Sequence, residues 1–251
     1  MTSSPRFKDH FSEVAAAYAR YRPSYPTALV DFLAAIAPAQ RLAWDSGCGS
    51  GQLSLLLAGP FARVVATDAS PEQIARAAAH PNLDYRCARA DASGLAARVV
   101  DLATAAQAAH WFDLAAYYAE VRRVTRPGGI VALIGYGVVS AGTGLDEVIR
   151  PFYEHVLAPY WPPERRHVDE GYRSLPFPFD ELDAPSFDIR LDWRLEQLVG
   201  YVGTWSAVWA LEQGQGQGPF ATFRRELANA WGPATTVRTV RWPLGLRVGR
   251  V

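Results

Sequence analysis

An acidic residue followed by three alternating glycines stands between an apolar run and the start of a helical pattern. The four residues are Asp45, Gly47, Gly49 and Gly51. Glycine adopts positive φ without steric cost and lets a ligand approach the backbone, and a helix N-terminus offers unpaired N–H groups. The pattern therefore predicts a turn that binds a nucleotide-like cofactor. A dinucleotide fingerprint would place its third glycine at position 52, where the chain has Gln52.

A second acid stands where such a fold holds a ribose. Asp68-Ala69 ends the apolar run that starts at Arg63, and it follows the glycines by roughly twenty residues. A carboxylate at that point accepts hydrogen bonds from both ribose hydroxyls of a bound nucleotide. We therefore expect Asp68 to bind the cofactor beside the glycine turn.

Strand and helix patterns alternate through the first half of the chain and must position these residues. Apolar strands are predicted at 42–45, 63–68, 83–88, 99–105 and 130–134, with helices at 51–58, from Ser70-Pro71, and at 113–124. Buried strands alternating with helices indicate a parallel sheet covered on both faces, with ligands at the carboxyl ends of the strands. The predicted fold is α/β and doubly wound (Rossmann-like). Its sheet is mostly parallel and seven-stranded, with an antiparallel last strand and an inserted helical cap.

The second half changes character but shows no linker of domain length. We predict one domain over residues 1–251, in which 1–40 form an N-terminal lid and helix and 41–139 form the cofactor-binding core. Residues 140–231 form a substrate cap that includes a sheet strand near 187–193, and 232–251 form the final strand. Within the cap, helices are predicted at 145–157, 195–212 and 220–231.

The spacing D-x-G-x-G-x-G resembles motif I of class I methyltransferases that depend on S-adenosylmethionine (SAM). Residues 41–135 are similar to the core of ubiquinone-biosynthesis methyltransferases. The flanking segments 18–26, 107–112 and 161–168 resemble the trans-aconitate methyltransferase-like group of small-molecule enzymes. The chain departs from the usual core pattern at Trp44, where a small aliphatic residue is usual, and at Ser46, where leucine is usual. Neither change removes a glycine or the acid.

The resemblance implies SAM as the cofactor and S-adenosylhomocysteine as its product. The implied cofactor contacts are Tyr18, Arg22, Asp45, Ser46, Gly47, Gly49, Gly51, Asp68, Ala69, Asp91, Ala92, Ala106 and Gln107. Asp91-Ala92 would face the adenine amine, and Ala106-Gln107 would lie beside the sulfonium. The Tyr18 ring suits a sulfonium cation, and Arg22 suits the methionine carboxylate. Tyr18 could equally be core packing, and Arg22 a surface residue.

His110 is the obvious proton-transfer residue near the expected methyl group. Its ordinary pKa suits a general base for a hydroxyl or amine acceptor. A carboxylate acceptor is already ionised at neutral pH and needs no base, in which case His110 would only position it. A third reading is a histidine that merely orients its loop.

Five further residues are predicted to bind the methyl acceptor: Trp111, Arg165, His167, Tyr172 and Trp205. Arginine binds anions bidentately, and aromatic walls suit a small substrate. The alternatives are a solvated charge run for Arg165 and His167, and ordinary core packing for the aromatic residues.

Composition narrows the class of protein. The formal net charge is zero, so the overall charge does not favour binding to nucleic acid or to anionic lipid. The two cysteines lack metal-site or redox spacing, and no apolar run reaches the length of a membrane span. We expect a cytoplasmic enzyme with a small-molecule methyl acceptor, no metal, and no nucleic-acid or membrane partner. The alternatives are a catalytically silent SAM-binding regulator and, less favoured, an NAD(P)-linked oxidoreductase.

Overall fold

The computed structural model describes residues 23–251, in which strands and helices alternate as expected. The strands are β1 Leu42–Ser46, β2 Arg63–Asp68, β3 Leu83–Cys87, β4 Val100–Ala106, β5 Thr125–Tyr136, β6 Asp180–Leu182, β7 Asp188–Trp193 and β8 Arg238–Arg250. The α-helices are α1 Thr27–Ile36, α2 Gln52–Leu57, α3 Pro71–Ala75, α4 Leu114–Val124, α5 Thr143–Pro151, α6 Arg165–Asp169, α7 Leu195–Gly203, α8 Ser206–Gln215 and α9 Gly218–Trp231. Single 3₁₀ turns occupy Ala109–Trp111 and Ala158–Tyr160, and a π-helical turn occupies Phe152–Val156.

The strands form one sheet in the order β3-β2-β1-β4-β5-β8-β6, and β7 also pairs with β8. Strands β1 to β5 are mutually parallel, while β8 runs antiparallel to β5 and β6 runs antiparallel to β8. The predicted fold class is confirmed, and the short strand β6 adds an eighth strand within residues 23–251. Because the strand order reverses between β1 and β4, their carboxyl ends form the switch point where doubly wound folds bind ligands.

Local sequence signals explain how the site-bearing elements begin and end. Helix α3 starts as predicted, with the Ser70 hydroxyl accepting from the Gln73 N–H and Pro71 in the first turn. Helix α4 is capped by Asp113, whose carboxylate accepts from the Ala116 N–H at 3.2 Å. Strands β1 and β4 are almost wholly buried, polar residues included, as expected for central strands of a sheet covered on both faces.

Three local predictions differ from the structure. The helix expected at 195–212 is broken between α7 and α8, where the Thr204 hydroxyl bonds back to the Tyr201 carbonyl at 2.6 Å. The helix expected at 145–157 becomes a π turn after Pro151, which has no N–H to continue the α-helical pattern. The strand expected at 130–134 is longer, because β5 starts at Thr125, directly after α4, and includes a register irregularity near its start.

The described chain divides into two compact units. The core unit comprises residues 24–139, 163–190 and 241–251, and the helical unit comprises residues 140–162 and 191–240. Residues 163–190, expected in the cap, thus group with the sheet, and the single-domain organisation stays a prediction. In the part of the chain that the structure describes, no helix is long and apolar enough to cross a membrane.

Candidate cofactor and acceptor site

The turn between β1 and α2 carries all three glycines of the motif at positive φ. The values are +65° for Gly47, +56° for Gly49 and +88° for Gly51. A Cβ at Gly47 would lie 2.5 Å from the Ala108 Cβ, and a Cβ at Gly51 would lie 2.2 Å from the Tyr85 hydroxyl. Among residues 23–251, a Cβ at Gly49 would have its nearest neighbour, the Gln73 side-chain oxygen, at 3.8 Å, which is an ordinary contact distance. Close packing within the described residues therefore requires Gly47 and Gly51 but not Gly49, so a ligand can approach the backbone there.

Asp45 lies beneath this turn and is fully buried. Its two carboxylate oxygens accept from the Ser54 hydroxyl at 2.6 Å and from the Thr104 hydroxyl at 2.8 Å. Burial raises the pKa of Asp45 to about 6, although both hydrogen bonds favour the charged form. The side chain thus ties β1 to α2 and β4. Its predicted contact with the cofactor stays a prediction.

Trp44 and Ser46, the two residues that depart from the usual core pattern, both contact Tyr117. They alternate along β1 and so point to the same face of the sheet. The Ser46 hydroxyl donates to the Thr104 carbonyl at 2.7 Å and lies 3.0 Å from the Tyr117 hydroxyl. The Trp44 ring packs 5.9 Å from the Tyr117 ring. Because the Ser46 side chain is engaged in the core, only its backbone is left for the predicted cofactor contact.

Asp68 links the end of β2 to the glycine turn. One carboxylate oxygen accepts from the Gly49 N–H at 2.8 Å, and the other accepts from the Ser70 N–H at 2.9 Å. Asp68 is half-buried, and Ala69 beside it is exposed. Each oxygen can accept a second bond. The geometry suits the ribose role expected for Asp68.

Asp91 forms a bidentate ion pair with Arg89, with both N–O distances 2.8 Å. The guanidinium holds the pKa of Asp91 below its usual range. The Ala92 N–H donates to the Arg89 carbonyl at 3.1 Å. Both predicted adenine contacts thus already have partners within their own loop, and the assignment stays a prediction.

The chain turns sharply where β4 ends at Ala106. Gln107 has a φ of +54°, a conformation that costs free energy for a residue other than glycine and that clusters at functional sites. Its N–H donates to the Ile134 carbonyl at 2.8 Å, and its side-chain amide donates to the Tyr136 carbonyl at 2.9 Å. This turn brings Ala108 against Gly47 and places the 3₁₀ turn that carries His110 beside the cofactor loop.

His110 is paired with Tyr172. The His110 Nδ1 lies 3.0 Å from the Tyr172 hydroxyl, and the two rings stack with their centroids 6.0 Å apart. Trp111 packs against the imidazole at 4.7 Å and is 51% exposed. Burial, assisted by the nearby charges of Arg165 and His167, lowers the pKa of His110 to about 3. The imidazole is therefore neutral at physiological pH.

Tyr172 packs against a part of the sheet where two glycines, Gly135 and Gly245, leave the surface without side chains. It is fully buried at a φ of +62°, with its ring against Gly135 of β5. A Cβ on Gly135 would lie 3.1 Å from the Tyr172 ring, and one on Gly245 of β8 would lie 2.4 Å from the Gly171 Cα. Arg247 donates to the Tyr172 carbonyl at 3.2 Å. These contacts set the hydroxyl of Tyr172 at His110.

The structure brings together most of the predicted acceptor-side residues. Arg165 pairs with Asp169 at 3.2 Å, and the His167 Nδ1 lies 2.8 Å from the Ser174 hydroxyl, both in the core unit with His110. Trp205 belongs to the helical unit, where its ring packs in an aromatic cluster with Tyr153, Trp161 and Tyr201. Its predicted contact with the acceptor stays a prediction. Tyr18 and Arg22 lie outside the described residues.

Several site residues escaped the sequence analysis: Ser54, Tyr85, Thr104, Gly135 and Gly245. A glycine within a strand pattern signals close backbone approach, and this signal was available at Gly135. Ser54 and Thr104 gave no signal, because a hydroxyl inside an apolar run does not reveal its partner. The Tyr85 hydroxyl is buried against Gly51, has no hydrogen-bond partner within residues 23–251, and has its pKa raised to about 12 by burial.

The fold and this turn define a Rossmann-like enzyme with a nucleotide-type cofactor site at the β1–β4 switch point. Residues 44–133 match the family model described as "Methyltransferase domain". A Dictyostelium discoideum protein classed as a methyltransferase is 31% identical over 205 residues, which span 80% of this chain and 78% of that relative. The chain therefore belongs to the class I SAM-dependent methyltransferases.

Two further comparisons agree. A solved structure from Anaeromyxobacter dehalogenans, classed as a type II methyltransferase, is 47% identical with a TM-score of 0.88, covering 92% of this chain and 98% of that chain. A malonyl-(acyl-carrier protein) O-methyltransferase from Dechloromonas aromatica is 31% identical over 181 residues, 66% of this chain and 64% of the relative.

The residues present fit SAM as the cofactor. Within the described chain the backbone of Gly49 is not closely packed, Asp68 lies at the end of β2, and the Tyr85 hydroxyl beside Gly51 has no hydrogen-bond partner. When bound, SAM supplies an electrophilic methyl group on a sulfonium. The chain's task is to hold an acceptor atom in line with that group and to keep water away.

Proposed function

We propose that this methyltransferase acts on a small molecule and methylates oxygen, on a carboxylate or a hydroxyl. The observation that carries the proposal is the His110–Tyr172 pair, held beside the glycine turn by residues 107–109. It presents a neutral imidazole where the acceptor is expected. The resemblance of the flanking segments to the trans-aconitate methyltransferase-like group supports an acidic small-molecule acceptor.

The electrostatics around this pair favour an anionic acceptor. Burial lowers the pKa of His110 and the charge of Arg165 adds to this effect, whereas burial raises the pKa of Tyr172 and the same charge opposes it. The guanidinium, which pairs with Asp169, is thus close enough to both side chains to contribute positive potential where a carboxylate would bind. The relative from Dechloromonas aromatica is named for O-methylation of malonyl-(acyl-carrier protein), which also favours oxygen.

The partners and location remain part of the same proposal. A chain of zero formal net charge supports a small-molecule acceptor over nucleic acid or a membrane surface. A cytoplasmic location is what an enzyme that draws on SAM and a soluble acid would need.

The test is a methyl-transfer assay with SAM labelled in the methyl group and a panel of small acids, phenols and amines. Methyl esters release methanol in mild base, whereas aryl ethers and N-methyl products do not, and mass spectrometry of each isolated product distinguishes the last two classes. We expect labelled ester or ether. Label found only in N-methyl products, or none transferred to any member of the panel, would contradict the proposal.

A further inference from the structure

We infer that the bond from Tyr172 fixes His110 as its Nε2–H tautomer, so that His110 donates a hydrogen bond to a carboxylate acceptor and is not a base. This inference rests on the proposed function and names its substrate class. The hydrogen-bond geometry of His110 favours the role of a positioning group over the role of a base.

The first step concerns the proton of the Tyr172 hydroxyl. Tyr172 is fully buried, and within residues 23–251 its hydroxyl has one hydrogen-bond partner, the His110 Nδ1 at 3.0 Å. Burial raises the pKa of the phenol above its usual value, so the hydroxyl keeps its proton. If the imidazole carried its hydrogen on Nδ1, two donors would face each other or the buried O–H would have no acceptor, which is costly.

The second step concerns the imidazole. With the Tyr172 O–H donating to Nδ1, the neutral ring carries its hydrogen on Nε2. Within the described chain, the His110 ring has no hydrogen-bond partner besides Tyr172. His110 is half-buried, and within residues 23–251 its Nε2 has no hydrogen-bond partner, so in this proposal the Nε2–H is the group that donates to a ligand. A neutral Nε2–H group can donate, but it has no lone pair with which to remove a proton.

The third step concerns the acceptor. A phenol or alcohol needs a proton acceptor as it reacts, and this tautomer offers none on its free nitrogen. A carboxylate oxygen arrives ionised and forms the new O–CH₃ bond while the S–CH₃ bond breaks and its electron pair stays on sulfur, so no proton is released. An anion also gains most from a donor and a nearby guanidinium. The site therefore fits a carboxylate.

The tautomer is tested in the protein with ¹⁵N-labelled histidine, without any turnover. Long-range ¹H–¹⁵N spectra separate the Nε2–H pattern from the Nδ1–H pattern. We expect Nε2–H for His110 in the wild type and in Tyr118→Phe, a matched variant whose lost hydroxyl bonds the Pro176 carbonyl. In Tyr172→Phe we expect a mixture. An Nδ1–H pattern in the wild type would overturn the inference.

Donor and base are then separated by substitution. In glutamine the amide N–H reaches about the position of Nε2 and cannot take up a proton, whereas in asparagine it reaches about the position of Nδ1. With benzoate as the probe, we expect His110→Gln to keep kcat/KM within about threefold of the wild type. His110→Asn and His110→Ala should lose about tenfold or more. A glutamine variant as inactive as the alanine variant would overturn the donor role.

Different results would contradict the donor role of His110 and the proposed methyltransferase function. Efficient transfer to phenol that is lost in His110→Gln would restore the base role and leave the methyltransferase proposal intact. Absence of O-methyl products would defeat the proposed function, while the ¹⁵N spectra would still decide the tautomer. If a variant fails to fold, the wild-type spectrum still decides the tautomer, and the wild type's relative transfer to benzoate and to phenol still distinguishes the donor role from the base role.

Discussion

Gly135 and Gly245 lie directly opposite each other on β5 and β8. Together they leave a part of the sheet surface without side chains, and Tyr172 and its neighbour Gly171 pack there. Register partners point their side chains to the same face of a sheet, so both missing Cβ atoms open the same side. The Tyr172 ring fills the space over Gly135, and the backbone of Gly171 fills the space over Gly245. The position of the His110 partner thus depends on two residues that have no side chain.

Replacing Gly245 with alanine should destabilise the protein. The new Cβ would lie 2.4 Å from the Gly171 Cα, and backbone cannot move aside as a flexible side chain does. We expect a loss of about 1–3 kcal/mol in the free energy of unfolding, the usual cost of overpacking, measured by urea denaturation. The control is Gly144→Ala in α5, where a Cβ would meet no atom of residues 23–251 within 4 Å. Equal stability of the two variants would contradict the close packing of Gly171 against Gly245.

Replacing Gly49 with alanine should impair cofactor binding more than folding. Within residues 23–251 the added methyl group would meet no atom nearer than 3.8 Å, but it would lie where the cofactor is expected to approach the backbone. We expect calorimetry to show a clear loss of affinity for S-adenosylhomocysteine. The matched control is Gly94→Ala, which shares the positive-φ penalty of about 1–2 kcal/mol and whose Cβ would have no neighbour within 4 Å in the described part of the chain. If both variants bind equally well, the cofactor does not lie over Gly49.

Replacing Asp68 with alanine should weaken binding of S-adenosylhomocysteine by about 1–3 kcal/mol, because the ribose loses a charged hydrogen-bond acceptor. Isothermal titration calorimetry gives the affinity, and a thermal melt shows whether the turn still folds without the bond to Gly49. Asp84→Ala serves as the control, since Asp84 on β3 pairs with Arg63 and Arg86 near the surface. Unchanged affinity in Asp68→Ala would remove the ribose assignment.

The low pKa of His110 predicts acid sensitivity. Its ordinary pKa of 6.5 is lowered to about 3 by burial and by the charges of Arg165 and His167, while Tyr172 faces it as a neutral phenol. The folded state therefore binds fewer protons than the unfolded state between these values. The stability that His110 contributes is fully present above pH 6.5 and is lost as pH falls toward 3.

The measurement compares wild type with His110→Gln by urea unfolding at about pH 7, 6 and 5. The wild type should lose stability relative to the variant by at most about 1.4 kcal/mol per pH unit. Asp45 acts in the opposite direction, because its pKa is raised to about 6 and its burial is less costly as it becomes protonated. Both proteins contain Asp45, so its effect cancels in the difference. Parallel pH profiles would show that His110 titrates normally.

The sequence alone predicted the cofactor and the glycine turn at the end of β1, whereas the individual cofactor contacts stay predictions. Glycine spacing and strand ends are local properties, and the sheet order of a doubly wound fold brings the ends of β1 and β4 together. The positive φ of Gly47, Gly49 and Gly51 confirms the predicted turn. The sequence could not show that Asp45 is held by Ser54 and Thr104, since those hydroxyls are 9 and 59 residues away along the chain.

The contacts among the residues predicted to bind the methyl acceptor depend on the tertiary structure. His110 and Tyr172 were both selected from the sequence, but their contact joins residues 62 apart and depends on Gly135 and Gly245. The pKa of His110 follows from burial and neighbouring charge, which no local pattern encodes. Sequence determines which groups are available and which turns they occupy. Packing between distant segments determines which atoms meet, and thereby whether His110 presents a donor or a base.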